Sequence, residues 1–311
     1  MTDRQDPALH VLTAERRQLT SLAYRLTGSL ADAEDVVQET YARWYAMPRP
    51  RRDGIASPGA WLTTVASRIC LDLLGSARAR RERYVGQWLP EPVPGGTAWI
   101  SGRWRGGVAD PADPADPAER VTLDESVSMA FLVVLDAMTP AERVAFVLHD
   151  VFGYPFADVA RVVGRTPAAC RQLASSARRR VRPARERPVT PAARHAEVVR
   201  AFRRAWEAGD IGALVGLLAP DATATGDGGG LVTAAPRPVE GAERVARFFA
   251  ERAGAVSGVT MLERVVNGQP GLVARKDGAT VAVLAFAIAD DRVRHIWAVL
   301  NPEKLRPWAA D

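Results

Sequence analysis

The stretch from Phe156 to Arg182, FADVARVVGRTPAACRQLASSARRRVR, holds the side chains best suited to meet an acidic polymer. Between Arg161 and Arg187 there are nine arginines and one acid, Glu186. Arg171, Gln172, Ser175, Arg178 and Arg179 fall on one helical face, whereas Cys170, Ala174, Ala177 and Val181 recur at i, i+4, i+7 and i+11 on the other. Arginine can pair bidentately with guanine O6/N7 and glutamine with adenine N6/N7, and the remaining guanidinium groups suit phosphates. Such readers need a rigid support. Val159, Val162 and Val163 form the inner stripe of a first helix that stops at Gly164, Thr166 is a good N-cap, and Pro167 at N1 starts the second helix. Small inward residues let the two helices cross closely, as in a helix-turn-helix that lays its second helix in a major groove.

The chain has 311 residues, 47% hydrophobic and 25% charged, enough for two or three globular domains. No apolar run reaches membrane-spanning length and the opening MTDRQDPALH is polar, so a cytoplasmic protein with no membrane segment is expected. Cys70 and Cys170 each fall on an inward stripe and read as small core residues in a reducing compartment, with no metal site or cofactor implied. The net charge of +5 is modest, and only two of the 41 basic residues are lysines, Lys276 and Lys304. Arginine clustering therefore carries more meaning than arginine number.

Residues 95–119 are rich in Gly, Pro, Ala and Asp and read as a linker, and three prolines interrupt 182–191. Four segments are expected: 10–92, a linker 93–120, 121–184 and 193–305. The first is helical, with a stripe of Leu19, Leu22, Ala23 and Leu26, then a helix presenting Val36, Val37, Thr40, Tyr41, Trp44 and Tyr45 on one face and Asp35, Gln38, Glu39 and Arg43 on the other. A helix from Trp61 to about Ser76 follows. Segment 121–184 has a helix from Leu123 to Met138, a cap at Thr139–Pro140, a helix through Val151, and the helix-turn-helix. The last segment predicts helices at 193–208, 210–219 and 241–253, then strands Val259–Val266, Gly271–Lys276, Thr280–Ala289 and Val293–Leu300, with turns at Asp277–Gly278 and Asp290–Asp291. The fold class is thus multidomain: two all-α domains followed by an α+β cone on a curved antiparallel sheet.

DAEDVVQETYARWY (32–45), SPGAWLTTVASRICLDLL (57–74) and residues 139–181 together resemble regions 2 and 4 of the sigma-70 family, in its extracytoplasmic-function (ECF) group. The last segment resembles a SnoaL-like domain, which one branch of that group carries as an extension. WLPEP (88–92), DGGG (227–230) and NPEKL (301–305) fit that branch.

The resemblance implies a sigma factor that binds core RNA polymerase through its β′ and β subunits and directs recognition of promoter −10 and −35 elements. It places core docking on Asp35, Gln38 and Glu39, whose acidic and polar face suits a basic coiled coil. For −35 reading it implies Arg171, Gln172, Ser175 and Ser176, the last standing where many relatives have arginine, with Arg165, Arg178, Arg179, Arg180 and Arg182 on phosphates. For the −10 element the candidates are Arg49, Arg51, Arg52, Trp61, Arg68, Arg78, Arg80, Arg81 and Arg83, with the arginines as phosphate contacts. At Trp61 the sequence fits a core position better than a base-stacking one.

The extension is expected to regulate in cis through Trp88, Pro90, Glu91, Asp227, Gly228, Gly229, Gly230, Asn301, Pro302 and Lys304, with an unidentified small ligand in its cone as an open option. Leu231 stands where the branch usually has lysine. Two other readings stay open: a ligand-sensing helix-turn-helix regulator acting without polymerase, and a SnoaL-like isomerase or cyclase. The acid–base groups for the latter are Asp221, expected as a helix-end cap, Asp227 in a glycine turn, and His295 on a strand beside Trp297. A binding protein, not an enzyme, is the expected class.

Overall fold

Leu19, Leu22, Ala23 and Leu26 are at most 2% exposed in the computed structural model, which describes residues 7–81, 84–97, 99, 122–123, 125–185, 190–253 and 258–309. These residues form two compact units. One takes the described residues of Met1–Ala79, Ala98–Ser126 and Val134–Val181, the other those of Arg80–Thr97, Val127–Val133 and Arg182–Asp311. The division differs from the sequence segments: 80–97, expected to end the first helical block and open a linker, belong with the C-terminal sheet.

In the first unit, α1 (Pro7–Thr27) is followed by α2 (Leu30–Ala46), whose N-cap Ser29 accepts from Asp32 N at 3.1 Å. A short α3 (Arg49–Asp53) lies inside the expected loop, before α4 (Pro58–Arg81). The helix expected over Leu123–Met138 is broken into a 3-10 turn, Glu125–Val127, and α5 (Met129–Asp136), of which Met129–Val133 belong to the second unit. Local serine bonds explain the break: Ser126 Oγ donates to Leu123 O at 2.7 Å, and Ser128 Oγ caps the new helix at Phe131 N, 3.4 Å. Helix α6 (Pro140–Phe146) opens on a capping box between Thr139 and Glu142 and runs into a π-helical turn, Val147–Val151. Helix α7 (Phe156–Val163) stops at Gly164, whose φ of 70° suits glycine, and α8 (Pro167–Arg185) follows.

Two buried arginines tie the first unit together. Arg25 donates to Ser126 Oγ at 2.6 Å, Ser21 O at 3.0 Å and Leu123 O at 2.8 Å. Arg143 donates to Leu26 O at 2.9 Å, closing the C-terminal end of α1, and pairs with Asp136 at 2.8 Å. Burial pulls the Arg143 guanidinium down to about 10.

The second unit has α9 (Ala192–Glu207), α10 (Ile211–Leu217), β1 (Leu218–Asp227), β2 (Val239–Glu240), α11 (Ala242–Ala253), β3 (Val259–Val266), β4 (Gln269–Lys276), β5 (Ala279–Ala289) and β6 (Arg292–Val299). The strand order is β2-β1-β6-β5-β4-β3. The antiparallel meander β3 to β6 is as expected, and its turns at Asp277–Gly278 and Asp290–Asp291 have positive φ throughout. Strand β1 corrects the sequence expectation: the chain leaves the helical state at Leu218, and β1 pairs parallel with β6, so the sheet is mixed. Its alanine-rich sequence carries weak strand preference, and the β6 ladder overrides it.

One sheet face packs Phe286 and Ile296 against Phe202, Trp206 and Phe249 of the helices. The opposite face, with Val273, Val283, Trp297 and Val299, is covered by Leu89, Met129, Leu305 and Trp308. Both faces of the sheet are therefore buried, and the WLPEP segment supplies part of the cover.

Candidate functional site: the nucleic-acid interface and the Asp227 cluster

Helix α8 divides as its spacing predicts. Cys170, Ala174, Ala177 and Val181 are buried, while Gln172, Ser175, Arg179 and Arg182 are exposed and Arg171 half-buried. Thr166 Oγ1 accepts from Ala169 N at 3.2 Å, so the cap sets the start of the helix, and Arg165 is exposed beside it. Arg171 lies over the Phe156 ring at 5.4 Å. Three expected DNA contacts point elsewhere: Arg178 Nε donates to buried Asp150 at 2.5 Å, Ser176 Oγ to Glu142 Oε1 at 2.8 Å, and Arg180 to Ala137 O at 2.9 Å. Glu142 is held below the usual carboxylate value, since burial raises it less than the Thr139 and Ser176 hydrogen bonds and Arg180 lower it.

Asp35, Gln38 and Glu39 are all exposed on the outer face of α2, and Glu39 pairs with Arg43 at 2.8 Å. Of the −10 candidates, Arg49 and Arg51 are exposed and Arg52 is half-buried. Trp61 is half-buried and tilts against Trp44 at 5.2 Å, nearer the core position than a free stacking surface. Tyr45, expected on the apolar face of α2, is instead 59% exposed, stacked on Tyr41 with the Arg52 guanidinium 6.0 Å from its ring. Arg68 donates to Arg161 O at 2.7 Å, satisfying a carbonyl in the last turn of α7. A groove of about 640 Å³ in this unit is lined by Trp61, Thr64 and Arg68 of α4 and Asp158 and Val162 of α7. Arg78, Arg80 and Arg81 lie on the last turns of α4, and Arg83 lies outside the described residues.

In the second unit the three short motifs converge on Asp227, which is fully buried at the end of β1. Its Oδ1 accepts from Tyr84 OH at 2.6 Å and Gly229 N at 3.0 Å, and its Oδ2 from Leu89 N at 2.9 Å and Lys304 Nζ at 2.7 Å. Lys304 also donates to Leu89 O at 2.5 Å and lies 4.3 Å from the Trp88 ring. Asn301 Nδ2 donates to Tyr84 OH at 2.9 Å. Burial, followed by the Asp227 hydrogen bond, pushes the Tyr84 phenol well above its ordinary value.

The glycines fit this cluster tightly. A Cβ on Gly228 would lie 1.9 Å from Val232 O, and one on Gly229, at φ 64°, would lie 2.4 Å from the Asn301 amide. Beyond the cluster, Trp308 Nε1 donates to Pro92 O at 2.9 Å, Val93 N to Asn267 Oδ1 at 3.0 Å, and Pro94 bridges Val266. Pro90 and Glu91 are buried, whereas Pro302, Gly230 and Leu231 are exposed. Tyr84, absent from the sequence candidates, is central, and nothing in local spacing pairs it with a residue 143 positions away.

The groups considered for acid–base chemistry are occupied otherwise. Asp227 is the hub just described. Asp221 lies on β1 rather than at a helix cap and pairs with Arg294 at 3.3 Å, while Asp210 caps α10. His295 stacks on Trp297 at 5.5 Å. Among the described residues no cluster of His, Cys, Asp or Glu could hold a metal ion, and no helix is long and apolar enough to cross a membrane.

Comparison with known proteins matches residues 11–80 to Sigma-70 region 2, 128–181 to Sigma-70 region 4, and 199–297 to a SnoaL-like domain. The chain is 42% identical over 304 residues to the ECF RNA polymerase sigma factor SigJ of Mycobacterium tuberculosis, covering 94% of this chain and 91% of SigJ. It is 34% identical over 308 residues to a probable ECF sigma factor, SigI, of the same species, covering 99% and 98% of the two chains. The crystal structure of the M. tuberculosis SigJ superposes with a TM-score of 0.71 at 39% identity, covering 96% of this chain and 98% of that one. A helix-turn-helix with an arginine-rich outer face, a region 2 helix with an acidic one, and a SnoaL-like sheet that gathers WLPEP, DGGG and NPEKL round one carboxylate thus occur together, and the chain belongs to the extracytoplasmic-function RNA polymerase sigma factors that carry a C-terminal SnoaL-like domain.

Proposed function

We propose that the two sigma regions of this transcription initiation factor act through distinct faces, and that the extension controls them through the segment it holds. Exposed Asp35, Gln38 and Glu39 meet the β′ subunit of core polymerase, with β as the second core partner. Gln172, Ser175 and Arg171 read the −35 duplex, while Arg165, Arg179 and Arg182 contact its phosphates. Arg49, Arg51 and Arg52 follow the opened −10 strand, and the exposed Tyr45 ring offers a base a stacking surface beside them. For Arg68 to join them it must leave the Arg161 carbonyl, so promoter opening competes with a contact inside the helical unit.

The observation that carries the regulatory half of this reading is the Asp227 cluster. The segment between region 2 and region 4 is bound to one buried carboxylate of the SnoaL-like domain by two direct donors, Tyr84 OH and Leu89 N, and Lys304, which pairs with the same carboxylate, also holds Leu89 O. The extension thereby restrains the connection between the two DNA-reading regions, in the role a separate inhibitor plays elsewhere. The test compares the full chain with residues 1–192 in core polymerase binding and promoter-dependent run-off transcription. Both forms are expected to bind core, with transcription differing between them. Loss of core binding by both would overturn the polymerase assignment, and equal transcription would overturn the cis-regulatory role.

A further inference from the structure

The π turn Val147–Val151 sits directly under the recognition helix. It turns two consecutive side chains inward, His149 and Asp150, both buried. His149 stacks on Phe156 at 3.8 Å, and Phe156 carries the Arg171 guanidinium at 5.4 Å. Asp150 Oδ1 receives Arg178 Nε at 2.5 Å, with the aspartate side chain 2% and the arginine side chain 23% exposed. Arg171 and Arg178 are seven residues apart, two turns along one face of α8. The π turn thus reaches the recognition helix at both, at Arg171 by way of the Phe156 ring of α7 and at Arg178 directly through an ion pair.

We infer that Arg178 is a positioning residue and not a phosphate contact, and that Asp150, which never meets DNA, determines −35 specificity by fixing the rotation of α8. This rests on the −35 reading proposed above. A guanidinium withdrawn to a phosphate would break an ion pair made at a buried carboxylate, which is unfavourable. Ser176, two residues nearer the helix start, is likewise tied to a carboxylate, Glu142 of the α6 capping box. Base selection then falls to Arg171, Gln172 and Ser175. A small rotation of α8 would move all three tips together, so the anchor governs what they read.

The experiment uses holoenzyme reconstituted from the full chain and core polymerase, with promoter fragments randomised over the −35 segment and binding measured across a range of KCl. The wild type is expected to select a base preference; absence of any preference would overturn the −35 reading itself. With a preference present, Asp150→Asn and Arg178→Gln should each lower discrimination about tenfold, the worth of one good base contact, and the double variant should be no worse than either. Their salt slopes should match the wild type, whereas Arg179→Gln should reduce the slope by about 0.9 and keep the preference. Asp150→Asn that raises affinity and steepens the salt slope would mean that Arg178 has been freed onto a phosphate, and the inference would fall. Asp150→Leu with Arg178→Met replaces the pair by apolar packing of similar volume and guards against misfolding. An unchanged slope in that chain supports the anchor, and a slope lower by about 0.9 overturns it.

Discussion

Asp150 and Asp227 are both carboxylates removed from water, and their surroundings differ in a way that separates two tasks. Asp150 meets a guanidinium from a helix 28 positions on, within one helical unit. Asp227 meets a phenol, a lysine and two backbone N–H groups, drawn from segments up to 143 positions away. A buried charge must be matched by donors close to it. Where an ion pair joins a carboxylate to a neighbouring helix, the pair orients that helix. Where three segments supply the donors, the carboxylate decides whether they stay together.

The sharpest way to break this contrast is to remove the hub. Asp227→Ala takes the carboxylate partner from the Lys304 ammonium and should cost about 3–5 kcal/mol, the range for opening a buried ion pair. It should also release residues 84–93 to limited proteolysis, while Asp150→Ala leaves that segment protected. Equal protection in both variants would show that the segment is held by apolar packing alone.

Acid separates the two units by a smaller amount. His195 is buried on α9, and burial, opposed by its hydrogen bond to Pro270, lowers its pKa below 6.5. The unfolded chain therefore takes up a proton first, and stability present above pH 6.5 falls as the pH drops below it. Glu142 in the helical unit is also lowered, from 4.5, so its contribution persists until the pH falls below 4.5 and through its folded value. Thermal unfolding between pH 7 and 5 should weaken the C-terminal unit first, and His195→Phe should flatten that dependence. An unchanged slope in His195→Phe would remove this histidine from the explanation.

The smallest effect tests the edge of the cluster. Trp308→Phe keeps an aromatic ring but loses the hydrogen bond to Pro92 O and the packing of the rest of the buried indole, together worth about 2 kcal/mol. A loss several times larger would make that contact part of the hub rather than its margin.

What the sequence disclosed follows the reach of each interaction. The stripe Cys170–Val181, the stop at Gly164 and the cap at Thr166 are local periodicities, and all appear where expected. So do the hairpin turns at Asp277–Gly278 and Asp290–Asp291. Strand β1 was hidden because its alanines favour a strand weakly, and the ladders to β6 and β2 make Leu218–Asp227 extended. The inward turn of Arg178 and Ser176 was hidden because Asp150 and Glu142 lie on other elements. Outward-looking arginines on a helix wheel cannot be told from arginines bent back onto a neighbouring carboxylate. The motifs round Asp227 were visible as strings, but their meeting at one atom pair depends on the completed sheet.

The span between Leu89 and Lys304 also sets a clock for every newly made molecule. The two residues bond across 215 positions. At about 5–20 residues per second, roughly ten to forty seconds of translation separate them. Throughout that interval Leu89 lacks its lysine, while region 2 is complete from the start and region 4 is finished well before the interval ends. A nascent chain thus has both sigma regions before this cluster can close, and the cluster joins the first half of the chain to its last.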